Sequence, residues 1–345
     1  RFKNDITKKM ELKNTYIIAE GGINHNGNFN NAKKLISVAK LCGANAIKFQ
    51  TFIPKEVVTA NLNLASYQKK NLKRNIRMID MIKKYELSFS QQRKLFKIAK
   101  RKKIDFISSA FDLKSLEFLI NDLKLGILKI PSGEITNFPY LKRISKFNKK
   151  VILSTGMSNI KEIEAALKVL LSGRLKKKNI YILHCNTAYP TPVGDVNLKV
   201  LKIFKNKFKL VTGYSDHTSG FEASLAAVSL GAKIIEKHLT LNKKQHGPDH
   251  KASLDSKEFK SFVNSVRKVE KLLGTNIKKI SPSEKENIKY ARKVIVAKKF
   301  ISKGETFSYD NLTTKRAGNG ISPMKWNNLI SKKSKYNFKK DEKIK

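Results

Sequence analysis

VILSTGMSNIKEIEAALKVLLSGRLKKKNIYILHCNTAY, residues 151–189, decides the reading of the fold. It opens on a short apolar run, 151–153, that ends in Ser154 and Thr155. A segment with helical spacing follows at 161–171, then a second apolar run at 180–183 that ends in His184, Cys185 and Asn186. Both runs are rich in Ile, Leu and Val and lack polar alternation, as do strands of a parallel sheet covered on both faces. Strand, helix and parallel strand make one βαβ unit.

The same stroke recurs outward in both directions. Apolar runs stand at 16–19, 46–49, 104–107, 127–130, 210–212 and 233–235, and further helical segments at 31–41, 91–100, 224–230 and 259–272. Eight strands alternating with helices predict an α/β fold, a (β/α)8 TIM barrel rather than an open doubly wound sheet. The one irregular gap lies between residues 51 and 105. Its extra stretch EVVTANLNLASYQKKNLKRN (56–75) is expected to form a loop or helix over one end.

Length and composition narrow the class. A chain of 345 residues has room for one large and one small domain. Two cysteines, Cys42 and Cys185, cannot build a disulfide framework, so a reducing cytoplasm is expected. No apolar run approaches the roughly 20 residues that span a bilayer, so no membrane partner is expected. The start, RFKNDITKKMELKN, lacks the apolar stretch of a secretory signal, and without an initiator Met it is expected to begin inside a longer gene product. Collagenous, disulfide-rich, membrane-spanning and disordered classes are excluded. Lys and Arg number 72 against 27 acidic residues, a formal net charge of +45. Of these cations 62 are Lys and 10 are Arg, spread along the whole chain without a basic stripe carrying interleaved aromatics. Arg is the residue suited to bidentate phosphate and base recognition. The charge therefore reads as a solvated lysine coat, and no nucleic acid is expected as a partner.

In a barrel all eight C-terminal strand ends converge on one mouth. Here they bring, in order, Glu20; Lys48 and Gln50; Ser108, Ser109 and Asp112; Lys129, Ser132 and Glu134; Ser154 and Thr155; His184, Asn186 and Tyr189; Ser215, Asp216 and His217; Glu236 and His238. Polar groups beside apolar runs are costly to bury, and eight sets in phase mark an enzyme active site. His217 and His238 close the seventh and eighth strands, and two converging imidazoles suit a divalent transition metal such as Mn²⁺ or Zn²⁺. Lys48 and Lys129, at the inner ends of strands, need an anionic partner. With the hydroxyls of Ser109, Ser132 and Ser215 they make a phosphate or carboxylate pocket. The alternative for such a lysine is a Schiff-base nucleophile. Cys185 has no positioned base and reads as a packed thiol.

The motifs IAEGGINHNG, GANAIKFQTF, SSAFD, LKIPSGEITNFPYL, ILSTGMS, LHCNTAYPTP, GYSDHTSG, IIEKHLTL and GPDHKASLD resemble those of the sialic acid (nonulosonic acid) synthases, of the N-acetylneuraminate and N,N′-diacetyllegionaminate synthase type. The resemblance runs in order from residue 16 to the C-terminus. ARKVIVAKKFISKGETF (291–307) and LTTKRAGNGISP (312–323) resemble the family's C-terminal SAF, or antifreeze-like, domain, a small β-rich unit. The implied organisation is a catalytic barrel over 1–273, a linker over 274–287 and the SAF domain over 288–345.

The resemblance implies a metal-dependent condensation of phosphoenolpyruvate with N-acetylmannosamine or 2,4-diacetamido-2,4,6-trideoxymannose, giving a nine-carbon α-keto acid and phosphate. It implies Mn²⁺, with Mg²⁺ or Co²⁺ as alternatives, held by His217 and His238. Catalytic roles fall to Glu134, which positions or deprotonates water, and to Lys129 and Lys48. Lys129, Ser109 and Ser132 resemble the family's phosphate contacts, and Lys48, Asn186 and Ser215 its carboxylate contacts. Tyr189 falls among the substrate-binding positions, Glu20 and Asp249 resemble carboxylates that hold sugar hydroxyls, and Arg316 resembles the SAF-domain Arg that reaches the sugar's N-acetyl group. That last contact is made in the family across a domain-swapped homodimer. Ser109-Ala110 stands where many relatives have Thr-Pro, Ala317 where Pro follows the Arg, and Gly21 where an apolar residue is commoner. These departures touch substrate fit and remove no catalytic group. The competing readings are another phosphoenolpyruvate-condensing barrel, of the keto-deoxy-sugar phosphate type, and a basic polyanion-binding protein on a barrel scaffold. HCNTAYPTP and KIPSGEITN resemble the legionaminate branch more than the capsular sialic acid branch.

Overall fold

A computed structural model of the chain describes residues 12–64 and 76–345. The eight apolar runs form β1 (Tyr16–Gly22), β2 (Ala46–Thr51), β3 (Asp105–Ala110), β4 (Ile127–Ile130), β5 (Lys150–Ser154), β6 (Ile180–Cys185), β7 (Val211–Asp216) and β8 (Ile234–His238). They pair in parallel in chain order, and β8 returns to β1, with Tyr16 opposite Ile234 and Glu20 opposite His238. This is the expected (β/α)8 barrel.

Strand parity sorts the side chains. Residues of even phase on β1 and odd phase on β3 face the interior, where Ile18, Ala46, Ile107, Ile152, Leu183 and Ile234 form one buried cluster. The intervening residues, among them Ile17, Ile47, Leu128, Leu153, Ile182 and Ile235, pack against the helices in a second, larger cluster. Burial on both faces is why no polar alternation appears in the runs. Burying each such side chain contributes about 1.5–3 kcal/mol.

The helices start where the sequence supplies reciprocal caps. Ser88 and Gln91 close the N-terminus of Phe89–Arg101, Asn159 and Glu162 that of Ile160–Leu171, and Asp255 and Glu258 that of Ser256–Leu273. Each box satisfies two backbone donors that the first turn leaves open. In the long gap after β2, helices Pro54–Val57 and Met78–Tyr85 pack on Ile23, Phe52 and Phe111, which lie at or just past the ends of β1, β2 and β3. The extra material does gather over that end of the barrel. Its portion 65–75 lies outside the described residues, as does the charged start, 1–11.

The chain divides into two units between Gly274 and Thr275. In the second, β9 (Val294–Ala297) pairs antiparallel with β10 (Leu312–Lys315) over a small core of Ile295, Ala297, Ile301, Phe307, Leu312, Phe338 and Ile344. The stretch expected as a linker is helical in its second part. Pro282–Ala291 is a helix with Pro at its first turn and a Ser281–Glu284 capping box, so local signals that favour a helix start outweigh the polar composition. Among the described residues no helix is long and apolar enough to cross a membrane.

Candidate active site

Continuing the interior phase of each strand by two residues leads from the apolar layer to a polar one. Ile18 is followed by Glu20, Ala46 by Lys48, Ile107 by Ser109, Ile127 by Lys129, Ile152 by Ser154, and Ile234 by Glu236 and His238. These side chains line a cavity of about 520 Å³ at the C-terminal mouth. Its floor is a buried set of two lysines and two glutamates. Lys48 Nζ lies 2.9 Å from Glu20 Oε2 and 3.7 Å from Glu236 Oε1, and Lys129 Nζ lies 3.6 Å from the same Glu236 oxygen. Lys129 donates to Ser154 Oγ at 2.7 Å, Lys48 to Ser109 Oγ at 3.5 Å, and Ser215 Oγ donates to Glu236 at 2.9 Å.

Four formal charges in so small a volume do not keep their ordinary acidities. Burial pushes the Glu20 carboxyl up to about 7; Lys48 pulls it down and Glu236 pushes it further up. Burial also acts to raise Glu236, but Lys129, Lys48, the Ser215 hydrogen bond and His217 together hold it below the usual carboxylate range. Of the two carboxyls Glu20 is therefore the one that takes up a proton first, while Glu236 stays ionised between Lys48 and Lys129, the latter held below the ordinary lysine range by burial. With Glu20 protonated this floor sets two ammonium groups against one carboxylate and attracts an anion.

The two histidines at the ends of β7 and β8 meet above this floor, with ring centroids 5.3 Å apart. Tyr189 lies against His217 at 4.2 Å with the rings tilted by 37° and meets His238 edge-on at 5.6 Å. Burial holds His217 down to about 4 and His238 well below the ordinary imidazole value, so both are neutral. His217 Nδ1 donates to the Asn186 carbonyl at 2.5 Å, which fixes the tautomer and leaves the Nε2 lone pair facing Ser215 Oγ, 3.4 Å away. His238 Nδ1 is buried without a hydrogen-bond partner. A neutral imidazole whose second nitrogen is anchored on a carbonyl is the usual form of a metal-ligating histidine. The pair fits a divalent cation, which His217 and His238 would hold. Among the described residues no three His, Cys, Asp or Glu side chains are grouped to hold an ion alone.

On the outer face of the same strands the phase is complementary. Asp216 and Lys237 point away from the cavity and form an ion pair at 3.2 Å, both fully buried. Asp216 also accepts from Thr218 N, Thr218 Oγ1 and Ser224 Oγ, and Lys237 donates to the Thr218 carbonyl at 2.6 Å. This ties together the two strands that carry His217 and His238. Asp216→Asn is expected to cost about 3 kcal/mol in urea unfolding, because Lys237 is left as an unpaired buried charge. Adding Lys237→Met should recover most of that loss.

The remaining expected residues divide between the cavity and its surroundings. Ser132 and Asp249 line the cavity; Ser132 Oγ contacts Cys185 Sγ at 3.2 Å and accepts from Gly156 N at 3.0 Å. Burial pushes the Asp249 carboxyl up to about 6, against the pull of Lys48. Glu134 sits just past the lining residues Ser132 and Gly133, outside the cavity wall, and accepts from Asn137 at 2.6 Å. Its carboxyl is held above the ordinary range, chiefly by burial. Asn186 is likewise not part of the wall; its side chain donates to the Asp195 carbonyl, and it bears on the site through its main-chain oxygen. Arg316 follows β10 in the second unit and is exposed. His25, His184 and His250 are hydrogen-bonded away from the cavity. Sequence reasoning left Glu236 and Ser154 without a role, although their strand phase marked them. It also missed an apolar wall made by Phe52, Val57, Val58, Met78, Met81 and Ile82.

Comparison with known proteins gives the same two-part division. The profile of the NeuB family matches residues 35–278, and that of the SAF domain matches residues 292–345. The chain is 51% identical over 333 residues to an N,N′-diacetyllegionaminic acid synthase of Campylobacter jejuni, covering 96% of this chain and 99% of that one. It is 38% identical over 339 residues to the enzyme of the same name from Legionella pneumophila, covering 97% and 94%. Among solved structures, the N-acetylneuraminic acid (sialic acid) synthetase of Leptospira borgpetersenii in complex with citrate aligns with a TM-score of 0.71 at 33% identity, covering 81% of this chain and 92% of that one.

Proposed function

The chain belongs to the NeuB family of sialic acid synthases, and from that premise we propose a divalent-metal-dependent enzyme that condenses phosphoenolpyruvate with an N-acetylated mannosamine-type sugar. The products would be a nine-carbon α-keto acid of the N-acetylneuraminate or N,N′-diacetyllegionaminate type and inorganic phosphate. The observation that carries this reading is the buried lysine-glutamate floor beneath two neutral imidazoles, all on adjoining strand ends.

Lys129, Ser109 and Ser132 take the phosphate of phosphoenolpyruvate, and Lys48 and Ser215 its carboxylate. Held there, C3 is presented to the aldehyde carbon of the open-chain sugar, whose hydroxyls Glu20 and Asp249 accept. His217 and His238 would hold the metal, which when bound supplies Lewis-acid polarisation of the aldehyde oxygen. The C2–C3 electron pair forms the new C–C bond and leaves an alkoxide on the former aldehyde carbon, which takes up the proton that the attacking water loses in the next step. Water then adds to C2, and the transfer of the proton it loses is assigned to Glu134. Burial holds the pKa of that carboxyl above the ordinary carboxylate range, and its side chain has to turn inward from just beyond the cavity wall. Breaking the bond between C2 and the phosphate oxygen leaves the electron pair on phosphate, which takes the C2 hydroxyl proton, so that the ketone and free phosphate remain. Arg316 is assigned to the N-acetyl group of the sugar bound by the partner subunit of a domain-swapped homodimer. Two buried, unpaired thiols, Cys42 and Cys185, agree with a reducing cytoplasm.

Phosphate release from phosphoenolpyruvate tests the reading. With Mn²⁺ and either N-acetylmannosamine or 2,4-diacetamido-2,4,6-trideoxymannose, release is expected and EDTA should abolish it. No release with either sugar, from folded and Mn²⁺-loaded protein, would overturn the assignment and turn attention to phosphorylated aldoses.

A further inference from the structure

INHNG (23–27), just after β1, and GPDHKAS (247–253), after β8, meet in a hydrogen-bonded seam. Asp249 lines the cavity, yet it stands well past the end of β8, outside any strand, on the connection to the helix Ser256–Leu273. Its main chain is fixed from both sides instead. Ser253 Oγ donates to the Asp249 carbonyl at 2.7 Å, and Asn24 Nδ2 donates to that same hydroxyl at 2.8 Å and to the Leu239 carbonyl at 3.0 Å. The next residue, His250, is fully buried, with Nε2 3.1 Å from Asn26 Oδ1 and Nδ1 2.8 Å from Thr240 Oγ1. Resting on the synthase reading above, in which Asp249 accepts a hydroxyl of the acceptor, we propose that His250 is a positioning residue. It holds Asp249 at the cavity by bridging the connection after β8 to the loop after β1.

The partners of the ring fix which nitrogen carries the proton. Asn26 turns its amide nitrogen toward Gln245 Oε1 at 3.4 Å and so offers its oxygen to His250 Nε2. Nε2 is then the donor, and Nδ1 accepts from the Thr240 hydroxyl. Burial holds the imidazole down to about 4, so this form with one proton is the one present. The ring also has no room to turn. A Cβ on Gly247 would stand 2.6 Å from His250 Cδ2 and 2.8 Å from Nε2, so the loop closes directly on the ring. Asn26 is held in its turn. Its φ of 55° is a left-handed conformation that Asn adopts more readily than most residues, and its N–H donates to the Ile23 carbonyl at 2.9 Å. Without the bridge Asp249 is tethered through Ser253 alone, and a carboxylate displaced by about 1 Å loses most of a hydrogen bond to substrate. Lys48, Ser109, Lys129 and Ser215 stand on barrel strands and keep their places. The loss therefore falls on the acceptor and not on phosphoenolpyruvate.

The test follows phosphate release from the Mn²⁺-loaded full chain, with whichever of N-acetylmannosamine and 2,4-diacetamido-2,4,6-trideoxymannose the wild type turns over. His250→Ala should raise the KM for that sugar by roughly 10-fold or more and leave the KM for phosphoenolpyruvate unchanged. His250→Gln, whose amide nitrogen can reach Asn26 Oδ1, should recover most of the loss. Asn26→Gly removes the same hydrogen bond from the other side and keeps the positive φ without strain, so it should match His250→Ala. The double variant should be little worse than either single one, because both delete the same bond. Hydrogen exchange gives a readout independent of turnover: the amides of 242–253 should exchange faster in both single variants, with those of the barrel strands unaltered. Folded variants with a wild-type KM for the sugar, or with both KM values raised alike, would overturn the positioning role, as would unchanged exchange. If His250→Ala does not fold, Asn26→Gly, at a half-buried loop position, decides. No release by the wild type with either sugar would strike the synthase reading, and the exchange result would then decide alone whether the bridge holds this segment.

Discussion

Lys129→Met is expected to lower kcat/KM for phosphoenolpyruvate by about 10³-fold, the equivalent of about 4 kcal/mol. The lysine is 3% exposed, 2.7 Å from Ser154 Oγ and 3.6 Å from Glu236. Methionine preserves most of its volume, so the change is almost wholly one of charge. With Glu20 protonated, the floor carries Lys48 and Lys129 against Glu236; removing one lysine brings it to neutrality. An incoming phosphate or carboxylate then meets no net positive charge in a desolvated site where that charge counts most. Glu236 also loses one of its two cationic neighbours. Lys178→Met, which removes the same unit of charge from an exposed position, should leave kcat/KM unchanged. The contrast separates the local floor from the +45 of the whole chain. Steady-state kinetics at fixed ionic strength, with circular dichroism to establish folding, decide it. Equal kcat/KM for Lys129→Met and wild type would remove Lys129 from the site.

The barrel was legible because its strands are covered on both faces, which leaves unbroken Ile, Leu and Val runs that no half-exposed strand would have. The polar set at the mouth was legible for a related reason, since Lys48 and Lys129 sit inside such runs and a buried ammonium needs a purpose. The division of that set was harder. His184 and Cys185 are neighbours on β6, yet Cys185 lines the cavity while His184 turns outward to bond the Val196 carbonyl at 2.7 Å. Alternation from Leu183 settles which is which, and the same rule places Ser154 and Glu236. Two features carry no such periodic signal. Asn186 anchors His217 through its main-chain oxygen, a role independent of its side chain. The apolar wall draws on a helix far along the chain from the strand end it joins, and only packing on Ile23, Phe52 and Phe111 brings Met78, Met81 and Ile82 to the cavity. At the other end, SPSE at 281–284 spells a capping box, and a polar composition concealed a helix start.

Gly213→Val is expected to destabilise the barrel by about 4 kcal/mol or more, enough to abolish folding of an ordinary domain. Gly213 lies in β7 with Leu183 beside it on β6 and Ile234 on β8, in the apolar layer just below Ser215 and Glu236. A Cβ at this position would stand 2.4 Å from Leu183 Cδ2, 2.5 Å from the Ile234 carbonyl oxygen and 2.8 Å from Ile234 Cβ. The leucine end could turn aside. The carbonyl cannot, because it belongs to main chain held in the closed sheet, where every strand is paired on both sides and none can shift outward alone. Valine adds two further methyl groups to that contact. Gly194→Ala, at a position where a Cβ meets nothing within 4 Å, should change stability by less than about 0.5 kcal/mol in the same urea titration. Leu183→Ala placed in the Gly213→Val background relieves the side-chain clash and leaves the carbonyl clash, so it should recover only part of the loss. Full recovery would mean that the space at 213 is set by Leu183 and not by the backbone of β8. Ser215 and His217 are the next residues of the same phase on this strand, so the glycine that lets β6, β7 and β8 approach also sets the height at which His217 and His238 meet.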